Sequence, residues 1–185
     1  MHNASAHMSK SSKPWKNTPA PRKRSGDLSV SIRTARMSDL SALLALETKT
    51  FSADRLSERS LRRHLQSDTA KVLVAVSGES CLGYALLLFR GDSSAARLYS
   101  LAVDRKARGR GIGRALLSAC EKQARQCSRT HMRLEVRADN KQARSLYISE
   151  GYGARVVVSD YYQDGMAAVK FEKPLRPRRV SMGHT

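Results

Sequence analysis

The sequence predicts a single α/β domain built on one mixed, mostly antiparallel sheet with about four helices. Short apolar runs bounded by turn residues alternate with amphipathic helical patterns along its 185 residues. The turn at 77–80 joins two apolar runs and predicts an antiparallel hairpin. A helical pattern between the apolar runs at 96–103 and 130–137 predicts one parallel pair, because parallel neighbours need a crossover connection.

The first half of the domain is predicted to contain one strand, two helices and three further strands. Ser38 and Ser57 stand just before periodic apolar runs and predict two helix N-caps, because a serine hydroxyl accepts a hydrogen bond from the first helical turn. The expected elements are a strand from Leu28, helices at 39–49 and 58–66, and strands at 71–76, 81–90 and 96–103.

The second half begins with a glycine-rich turn and continues as helix, strand, helix and two strands. Asn140 is the expected N-cap of the last helix, and Gly151 is the glycine expected to end it. The expected elements are a helix through Cys127, a strand at 130–137, a helix from Asn140, and an antiparallel pair at 152–159 and 165–172.

The domain carries basic extensions at both ends. Residues 1–27 hold six Lys/Arg and one acid, lack periodicity, and are predicted to form a disordered arm that contacts nucleic acid nonspecifically or only improves solubility. The expected domain spans residues 28–175, and residues 176–185 form a basic tail. The net charge of +18 is therefore spread unevenly. A basic face suits a polyanionic cofactor or an acidic partner such as RNA; a solvated surface without a partner is the alternative.

The composition disfavours several classes of protein. No apolar run approaches the roughly 18 residues that span a bilayer, and the N-terminus lacks a hydrophobic signal core. Three cysteines without a C-x-x-C pair favour a reducing compartment, so we expect a cytoplasmic protein. His64 and His131 have no ligand partners at suitable spacing, so we expect no metal site.

The most informative motif is Arg108-Gly109-Arg110-Gly111-Ile112-Gly113, which stands between an apolar run and a helical pattern. This order directs a helix N-terminus and several backbone N–H groups at one spot, which suits a diphosphate. The alternative is a tight turn whose glycines serve packing alone. The spacing fits neither the Walker loop, which needs a lysine after its last glycine, nor the G-x-G-x-x-G dinucleotide fingerprint.

The remaining pattern, Arg-x-x-Gly-x-Gly, resembles the acyl-CoA pyrophosphate loop of the GNAT superfamily of N-acetyltransferases. The resemblance extends over about residues 28–175. Leu134-Glu135-Val136-Arg137, followed by Leu146-Tyr147 and Gly151-Tyr152, is similar to the bacterial ribosomal-protein alanine N-acetyltransferases. The later Asp160-Tyr161-Tyr162 also resembles that branch. The two basic extensions lie outside the resemblance and inherit no function from it.

The resemblance implies that acetyl-CoA is the co-substrate and that the parallel strands splay apart to receive it. Backbone groups at Leu101 and Val103 are then expected to bind the pantetheine arm, and the amide of Ala102 or a neighbour to face the thioester carbonyl. Asn140, first of all an N-cap, is a further candidate for contact with that arm. A tightly paired strand without a gap is the alternative. The residues implied to hold the pyrophosphate are Arg108, Gly109, Arg110, Gly111, Ile112, Gly113 and Arg114.

Two side chains are candidates for proton transfer. Glu135 shares one face of its strand with Arg133 and Arg137, and a carboxylate in mid-strand needs solvent, a partner or a substrate. The pattern alone allows a surface ion pair or a base; the resemblance implies a base that deprotonates the amine directly or through a water. Tyr147 is either a core tyrosine with an exposed tip or, as the resemblance implies, the acid that protonates the departing CoA sulfur.

The expected acceptor is a protein N-terminus. An α-amino group titrates near 7.7–8.0 and a lysine near 10.4, so one modest base deprotonates the α-amine more easily at neutral pH. Phe51, Tyr161 and Tyr162 are candidates for holding an extended peptide end; the alternative for the two tyrosines is a place on the surface of a strand. Glu47 is expected to lie on a solvated helix face rather than to meet the amine.

The sequence therefore predicts an acetyl-CoA-dependent N-acetyltransferase that acts in a ternary complex on the N-terminal α-amine of a protein, with ribosomal proteins as candidate acceptors. Two alternatives stay open. One is a small-molecule acceptor such as a polyamine, an amino acid or a drug. The other belongs to a different class: an RNA- or ribosome-binding protein that keeps CoA only as a structural ligand, a hypothesis that the basic extensions motivate.

Overall fold

The computed structural model describes residues 29–51 and 55–175. The predicted basic arm at 1–27 and the predicted tail at 176–185 lie outside the described residues. The centre of the loop after Phe51, at residues 52–54, also lies outside them.

The described chain contains the strands and helices that the sequence predicts, in the predicted order. The strands are β1 Ser31–Thr34, β2 Ala70–Ser77, β3 Ser80–Phe89, β4 Ala95–Val103, β5 His131–Arg137, β6 Gly153–Val158 and β7 Ala168–Pro174. The helices are α1 Leu40–Thr50, α2 Glu58–Leu65, α3 Ile112–Gln126 and α4 Lys141–Ser149. Within the described ranges, no helix is long and apolar enough to cross a membrane.

The strands form one sheet in the order β1-β2-β3-β4-β5-β7-β6. The pair β4–β5 is parallel, and every other neighbouring pair is antiparallel. Helix α3 makes the crossover between the parallel strands. The predicted α/β class with one mixed, mostly antiparallel sheet is therefore confirmed. In the last hairpin β7 pairs with β5, so β6 forms an edge of the sheet.

Each face of the sheet carries its own hydrophobic core. Alternate residues of a strand point to opposite faces, so β3 sends Leu87 beneath α3 and Leu86 beneath α1. The core beneath α3 and α4 contains Leu116, Leu117, Met132, Leu134, Tyr147 and Phe171, among others. The core beneath α1 and α2 contains Leu43, Leu46, Leu61, Val74 and Tyr84, among others.

Helices α1 and α2 pack on the half of the sheet formed by β2, β3 and β4. On the same face of the other half, Arg133 of β5 leaves 58% of its side chain exposed and Arg155 of β6 leaves 64% exposed. This half therefore forms an open, polar wall beside the two helices, and it is the wall on which Glu135 lies.

Three of the predicted helix ends are confirmed. The Ser57 hydroxyl accepts from the Ser60 amide at 3.2 Å, and the Asn140 side-chain oxygen accepts from the Ala143 amide at 3.0 Å. Gly151 ends α4 with a φ of +84°, a left-handed conformation that glycine adopts without steric cost.

The predicted N-cap at Ser38 is wrong. A single 3-10 turn, Met37–Asp39, precedes α1, and the Asp39 carboxylate accepts from the Arg36 amide at 2.6 Å. Arg33 of β1 donates two hydrogen bonds of 2.8 Å to the same carboxylate. These bonds hold the pKa of Asp39 below its usual range, with the Arg33 hydrogen bonds as the main cause. The helix start is therefore fixed by an ion pair with a neighbouring strand, which local sequence does not reveal.

Candidate active site

Strands β4 and β5 separate in the middle of the sheet. Their parallel register ends at Leu98 and Leu134, although both strands continue beyond these residues. At the same point the register of β4 against β3 shifts, and Tyr99 is an extra residue on β4. A bulge of this kind bends the strand that carries it, which explains why the separation begins here. The strands thus leave the predicted gap, and the tightly paired alternative does not apply.

Beyond the bulge, β4 offers backbone groups to this gap. Asp104 donates its amide hydrogen to Leu82 of β3 at 2.9 Å, and the direction of such groups alternates along a strand. Leu101 and Val103 therefore turn their N–H and C=O groups away from β3 and toward the gap. Ala102 turns its amide to β3, and its side chain is buried beneath α1. A contact from this strand to a thioester carbonyl would come from a neighbour of Ala102.

The glycine-rich loop presents free amides at the start of α3. Gly109 and Gly111 have φ angles of +77° and +75°, in the left-handed region that favours glycine. Gly111 is the N-cap of α3 and has no side chain to accept from the first turn. Within the described part of the chain, the amides of residues 109–114 donate to no backbone or side-chain acceptor. Adjacent free N–H groups at a helix N-terminus form an anion site.

Basic side chains surround these amides. Arg108 donates to the Val103 carbonyl at 3.3 Å, which brings its guanidinium to the mouth of the gap. Arg114 forms an ion pair with Glu150. The first turn of α3 contains no acidic residue that would repel an anion.

A cleft of about 630 Å³ joins the gap to the loop. The predicted cofactor residues that line it are Leu101, Val103, Arg108, Gly109, Gly111, Ile112, Gly113, Arg114, Asn140 and Tyr147. Ala102 and Arg110 do not line it, and the Arg110 side chain is exposed. Lining residues for which the sequence predicts no role in the site are Thr50, Ala107, Arg137, Asp139, Gln142, Ala143, Leu146 and Asp164.

The cleft fits acetyl-CoA, the co-substrate that the resemblance implies. Its volume lies in the range of small-molecule and cofactor sites. The free amides of the loop suit a pyrophosphate, and the backbone groups of Leu101 and the Val103 amide that face the gap suit the amide arm. Within residues 29–51 and 55–175, no group of three or more His, Cys, Asp or Glu could hold a metal ion.

Tyr147 of α4 borders the cleft on the α3 side of the sheet. Its ring packs against Tyr152 and Phe171, with ring centroids 5.8 and 6.1 Å away, and only 6% of the residue is exposed. Burial raises the pKa of the Tyr147 hydroxyl well above its usual value near 10. A phenol is protonated at neutral pH even without this shift, and the packed rings hold it in one orientation.

Glu135 lies on the opposite face of the sheet, one residue beyond the last β4–β5 pair. Its carboxylate accepts from Arg97 Nε of β4 at 2.9 Å, and 18% of its side chain is exposed. The ion pair expected as one alternative is therefore present. Glu135 does not line the cleft with Tyr147; it lines a second groove of about 720 Å³ on its own face.

The structure does not bring the three predicted acceptor residues into one cavity, and Tyr162 lines neither the cleft nor the groove. Phe51 lines the cleft, at the end of α1. Tyr161 lines the groove beside Glu135, where Arg97 Nη2 donates to its hydroxyl at 3.3 Å. Tyr162 packs against Tyr161 with ring centroids 5.1 Å apart, and the Arg137 guanidinium lies 5.0 Å from its ring centroid.

The expected solvated position of Glu47 is wrong. Glu47 is only 2% exposed, because its carboxylate accepts from the Tyr84 hydroxyl and, at 2.8 Å, from the Leu56 amide. The Tyr84 hydroxyl also lies 2.9 Å from Ser100 Oγ. A signal was present in the sequence, since position 47 continues the apolar stripe that begins with Leu40 and Leu43.

These features together define a class of protein. A parallel strand pair separates at a bulge, and a glycine loop at the start of a helix lies beside the gap. This arrangement is the fold of an acyl-CoA-dependent acetyltransferase. The chain belongs to the acetyltransferase (GNAT) family, whose domain model matches residues 34–175. The predicted family, and with it the enzyme class of acyltransferases, is confirmed.

A curated relative agrees with this assignment over part of its length. An uncharacterized N-acetyltransferase of Methanocaldococcus jannaschii is 38% identical over 81 residues. The match covers 42% of this chain and 51% of the relative, so the chain spans about half the length of the curated relative it matches.

Solved structures of similar shape include two ribosomal-protein alanine N-acetyltransferases. The fold matches the ribosomal-protein-S18-alanine N-acetyltransferase from Escherichia coli with a TM-score of 0.72 and 24% identity, over 84% of this chain and 99% of that one. It matches the ribosomal-protein-alanine N-acetyltransferase from Brucella melitensis with a TM-score of 0.69 and 26% identity, over 78% and 99%. Ard1 from Thermoplasma volcanium matches with a TM-score of 0.71 and 22% identity, over 80% and 98%.

Proposed function

We propose that the protein transfers the acetyl group of acetyl-CoA to the free α-amine of a protein N-terminus, in a ternary complex. The observation that carries the proposal is the placement of Glu135 and Tyr147. They lie on opposite faces of the sheet beside the point where β4 and β5 part, one in an open groove and one in the cofactor-sized cleft. An amine entering from the groove would reach the gap from the side opposite to the cofactor.

The cleft residues have defined binding roles in this proposal. The free amides of residues 109–114 hold the pyrophosphate, with the Arg108 and Arg114 side chains beside them. Leu101 and Val103 bind the amide arm through the backbone groups that face the gap, and Asn140 borders it as the N-cap of α4. Bound acetyl-CoA supplies an activated acyl group, the thioester carbonyl, that an uncharged amine attacks.

Glu135 accepts the proton that the attacking amine must lose. Its carboxylate is paired with Arg97 beside the point where β4 and β5 part, and a carboxylate as a class is a modest base. A modest base suits an α-amine, which titrates near 7.7–8.0, better than a lysine, which titrates near 10.4. The proton passes directly or through a water.

Tyr147 protonates the sulfur that leaves. A phenol carries its proton at neutral pH, and the packed rings of Tyr152 and Phe171 hold the hydroxyl in the wall of the cleft. A general acid in a fixed position contributes roughly 10²–10⁴-fold to the rate.

The groove supports a peptide acceptor rather than a small amine. It is open, has a volume of about 720 Å³, and contains Tyr161 and charged side chains from four strands, β4 to β7. Two enzymes of similar fold are named as N-acetyltransferases of ribosomal-protein alanine, and ribosomal proteins are the candidate acceptors on that basis. The expected cytoplasmic location and nucleic-acid contact of the basic arm stay predictions.

A screen of acceptors read by mass spectrometry tests the proposal. The full chain is incubated with acetyl-CoA and separately with peptides that begin with alanine, the same peptides blocked at the α-amine but carrying a lysine, and a set of polyamines, amino acids and drug amines. We expect acetylation of the free α-amine alone. Transfer only to the small amines would mean that the acceptor is a small molecule and not a protein N-terminus. No release of CoA with any acceptor would overturn the enzyme assignment.

A further inference from the structure

The groove beside Glu135 is rich in basic side chains. Its charged lining consists of Arg90, Arg97, Arg133, Arg155 and Lys170 with Asp92, Glu135 and Glu172. We call this surface the basic groove. Five cations and three carboxylates leave it with two uncompensated positive charges. It lies on the sheet face that α1 and α2 leave open over β5, β6 and β7.

The two unpaired charges have definite positions in the basic groove. Arg133 and Arg155 both form ion pairs with Glu172, at 2.5 and 3.3 Å, so one carboxylate is shared by two guanidinium groups. Within the described ranges, Lys170 has no carboxylate within 4.0 Å. The excess positive charge therefore lies on β5, β6 and β7, and the Arg97–Glu135 and Arg90–Asp92 pairs are internally balanced.

These cations flank the position assigned to the acceptor amine. Lys170 is directly opposite Glu135 in the β5–β7 register. Arg133 is two residues before Glu135 on the same face of β5, a step of about 6.6 Å. An extended peptide that begins at Glu135 would pass these cations within its first two to four residues, because it also advances about 3.3 Å per residue.

We propose that the basic groove selects acceptor chains with acidic side chains in the residues that follow the free amine. The inference rests on the proposed function and adds the substrate class to it. Glu135 attracts the amine before its proton is lost, and the excess charge around Lys170 and Arg133 attracts the carboxylates that follow. This charge pattern is complementary to a peptide whose N-terminal amine is positive and whose next side chains are negative.

A peptide suits this pattern better than RNA. The three carboxylates of the groove, Asp92, Glu135 and Glu172, stand among the cations and would repel a continuous run of phosphates. An acidic peptide carries its negative charges on side chains and its positive charge at the amine, so it matches both signs.

Three peptides of one length and one N-terminal alanine test the selection. The residues at positions two to four are acidic, neutral or basic, and kcat/KM is measured for each with the full chain at low and high salt. We expect the acidic peptide to exceed the basic one by about threefold to tenfold at low salt, since exposed charge pairs are individually weak. The ratio should approach one at about 0.5 M salt, where screening is strong.

Two variants of equal charge change separate the groove from the general surface charge. Lys170→Gln removes a cation from the groove, and we expect it to lower the acidic-to-basic ratio by about twofold or more. Lys122→Gln is the matched control, because Lys122 is exposed on α3, on the other side of the sheet. It should leave the ratio unchanged.

Equal kcat/KM for the three peptides, or equal effects of the two variants, would overturn the selection while leaving transfer to a peptide amine intact. Failure of the proposed function has a different signature, which is no acetylated peptide at all. In that case calorimetry with the same peptides still tests the charge selection, because the basic groove should bind the acidic peptide most tightly. Tighter, salt-sensitive binding of a single-stranded RNA of equal length, weakened by Lys170→Gln, would assign the groove to nucleic acid instead.

Discussion

Tyr84 of β3 donates its hydroxyl hydrogen to the carboxylate of Glu47 on α1, and neither residue is accessible to solvent by more than 2%. The same carboxylate accepts from the Leu56 amide, so it ties the loop before α2 to the sheet. The Tyr84 hydroxyl reaches Ser100, one residue past the bulge at which β4 leaves β5. One polar cluster therefore connects α1 and the loop before α2 with the strand that borders the gap.

Removing the Tyr84 hydroxyl should destabilise the protein. In Tyr84→Phe the buried Glu47 carboxylate keeps the Leu56 amide but loses a donor, and an under-satisfied buried acceptor costs about 1–3 kcal/mol. Urea unfolding measures the change in the free energy of unfolding. Tyr99→Phe is the control, because Tyr99 is 46% exposed and should change stability by less than about 0.5 kcal/mol. Equal changes in the two variants would mean that the cluster contributes nothing.

Stability should fall at alkaline pH. Burial raises the pKa of the hydroxyls of Tyr84, Tyr147 and Tyr152 above their usual value near 10. The folded state therefore binds these protons more tightly, so their contribution is fully present below about pH 10 and is lost as the pH rises further. Each such group steepens the loss by about 1.4 kcal/mol per pH unit. Urea unfolding between pH 8 and 11 measures this slope, and Tyr84→Phe should have a shallower one above about pH 10. Parallel pH profiles for the two proteins would contradict the prediction.

The loop glycine Gly111 should matter for the cofactor and not only for the fold. Its φ of +75° is strained for alanine by roughly 1–2 kcal/mol, and a Cβ there meets no atom within 4 Å, so the effect is conformational. In Gly111→Ala the loop relaxes and its amides turn, which should weaken acetyl-CoA binding by about tenfold in calorimetry.

Gly78→Ala is the matched control for this change. Gly78 has a φ of +56° and open space around it, but it lies in the β2–β3 turn, away from the cleft. It should lower the stability to a similar extent and leave the affinity for acetyl-CoA unchanged. If both variants bound acetyl-CoA as the wild type does, the loop would not be the pyrophosphate site.

The sequence predicts the elements well because their signals are local. Apolar periodicity and the caps at Ser57 and Asn140 depend on neighbours within four residues, and they agree with the structure. The predicted N-cap at Ser38 is wrong because the start of α1 depends on a contact that is not local. The start of α1 depends on Asp39 and its partner Arg33 on another strand, and no local pattern reports that partner.

The sequence locates the candidate site only where the site consists of one continuous segment of the chain. The glycine loop is one continuous segment, so its position follows from the sequence. The partner of Glu135 does not, because Arg97 lies 38 residues away and meets it only through the parallel register. The direction of the Ala102 amide likewise depends on the register with β3. Contacts between strands require the sheet order, which periodicity does not contain.

Tyr147 and Tyr152 should respond differently to loss of their hydroxyls. Tyr147→Phe keeps the ring packing but removes the proposed acid, so kcat should fall by roughly 10²–10⁴-fold with little change in stability. Tyr152 donates to the buried Glu121 at 3.1 Å, so Tyr152→Phe should lower the stability by about 1–2 kcal/mol and retain most of kcat. Steady-state release of CoA and urea unfolding measure the two effects. The reverse pattern would remove the acid role from Tyr147.

Glu135→Gln tests the proposed base, because the amide keeps the shape of the side chain and can still meet Arg97 but cannot accept the proton of the amine. We expect kcat/KM for an alanine peptide to fall by roughly 10²–10⁴-fold. Binding of acetyl-CoA should stay the same within about twofold, since Glu135 lies outside the cleft that the cofactor fits.

The matched control is Glu58→Gln, which removes an ion-paired carboxylate from the exposed Glu58–Arg62 pair on α2. It should change neither the rate nor the binding of acetyl-CoA. Raising the pH distinguishes a base from a structural ion pair. If Glu135 deprotonates the amine, the variant should recover part of its rate as the pH rises through 8, because the α-amine then loses its proton to water unaided. A variant whose rate stays equally low at every pH would have lost the geometry of β5 with its Arg97 partner, and Glu135 would then be a positioning residue rather than the base.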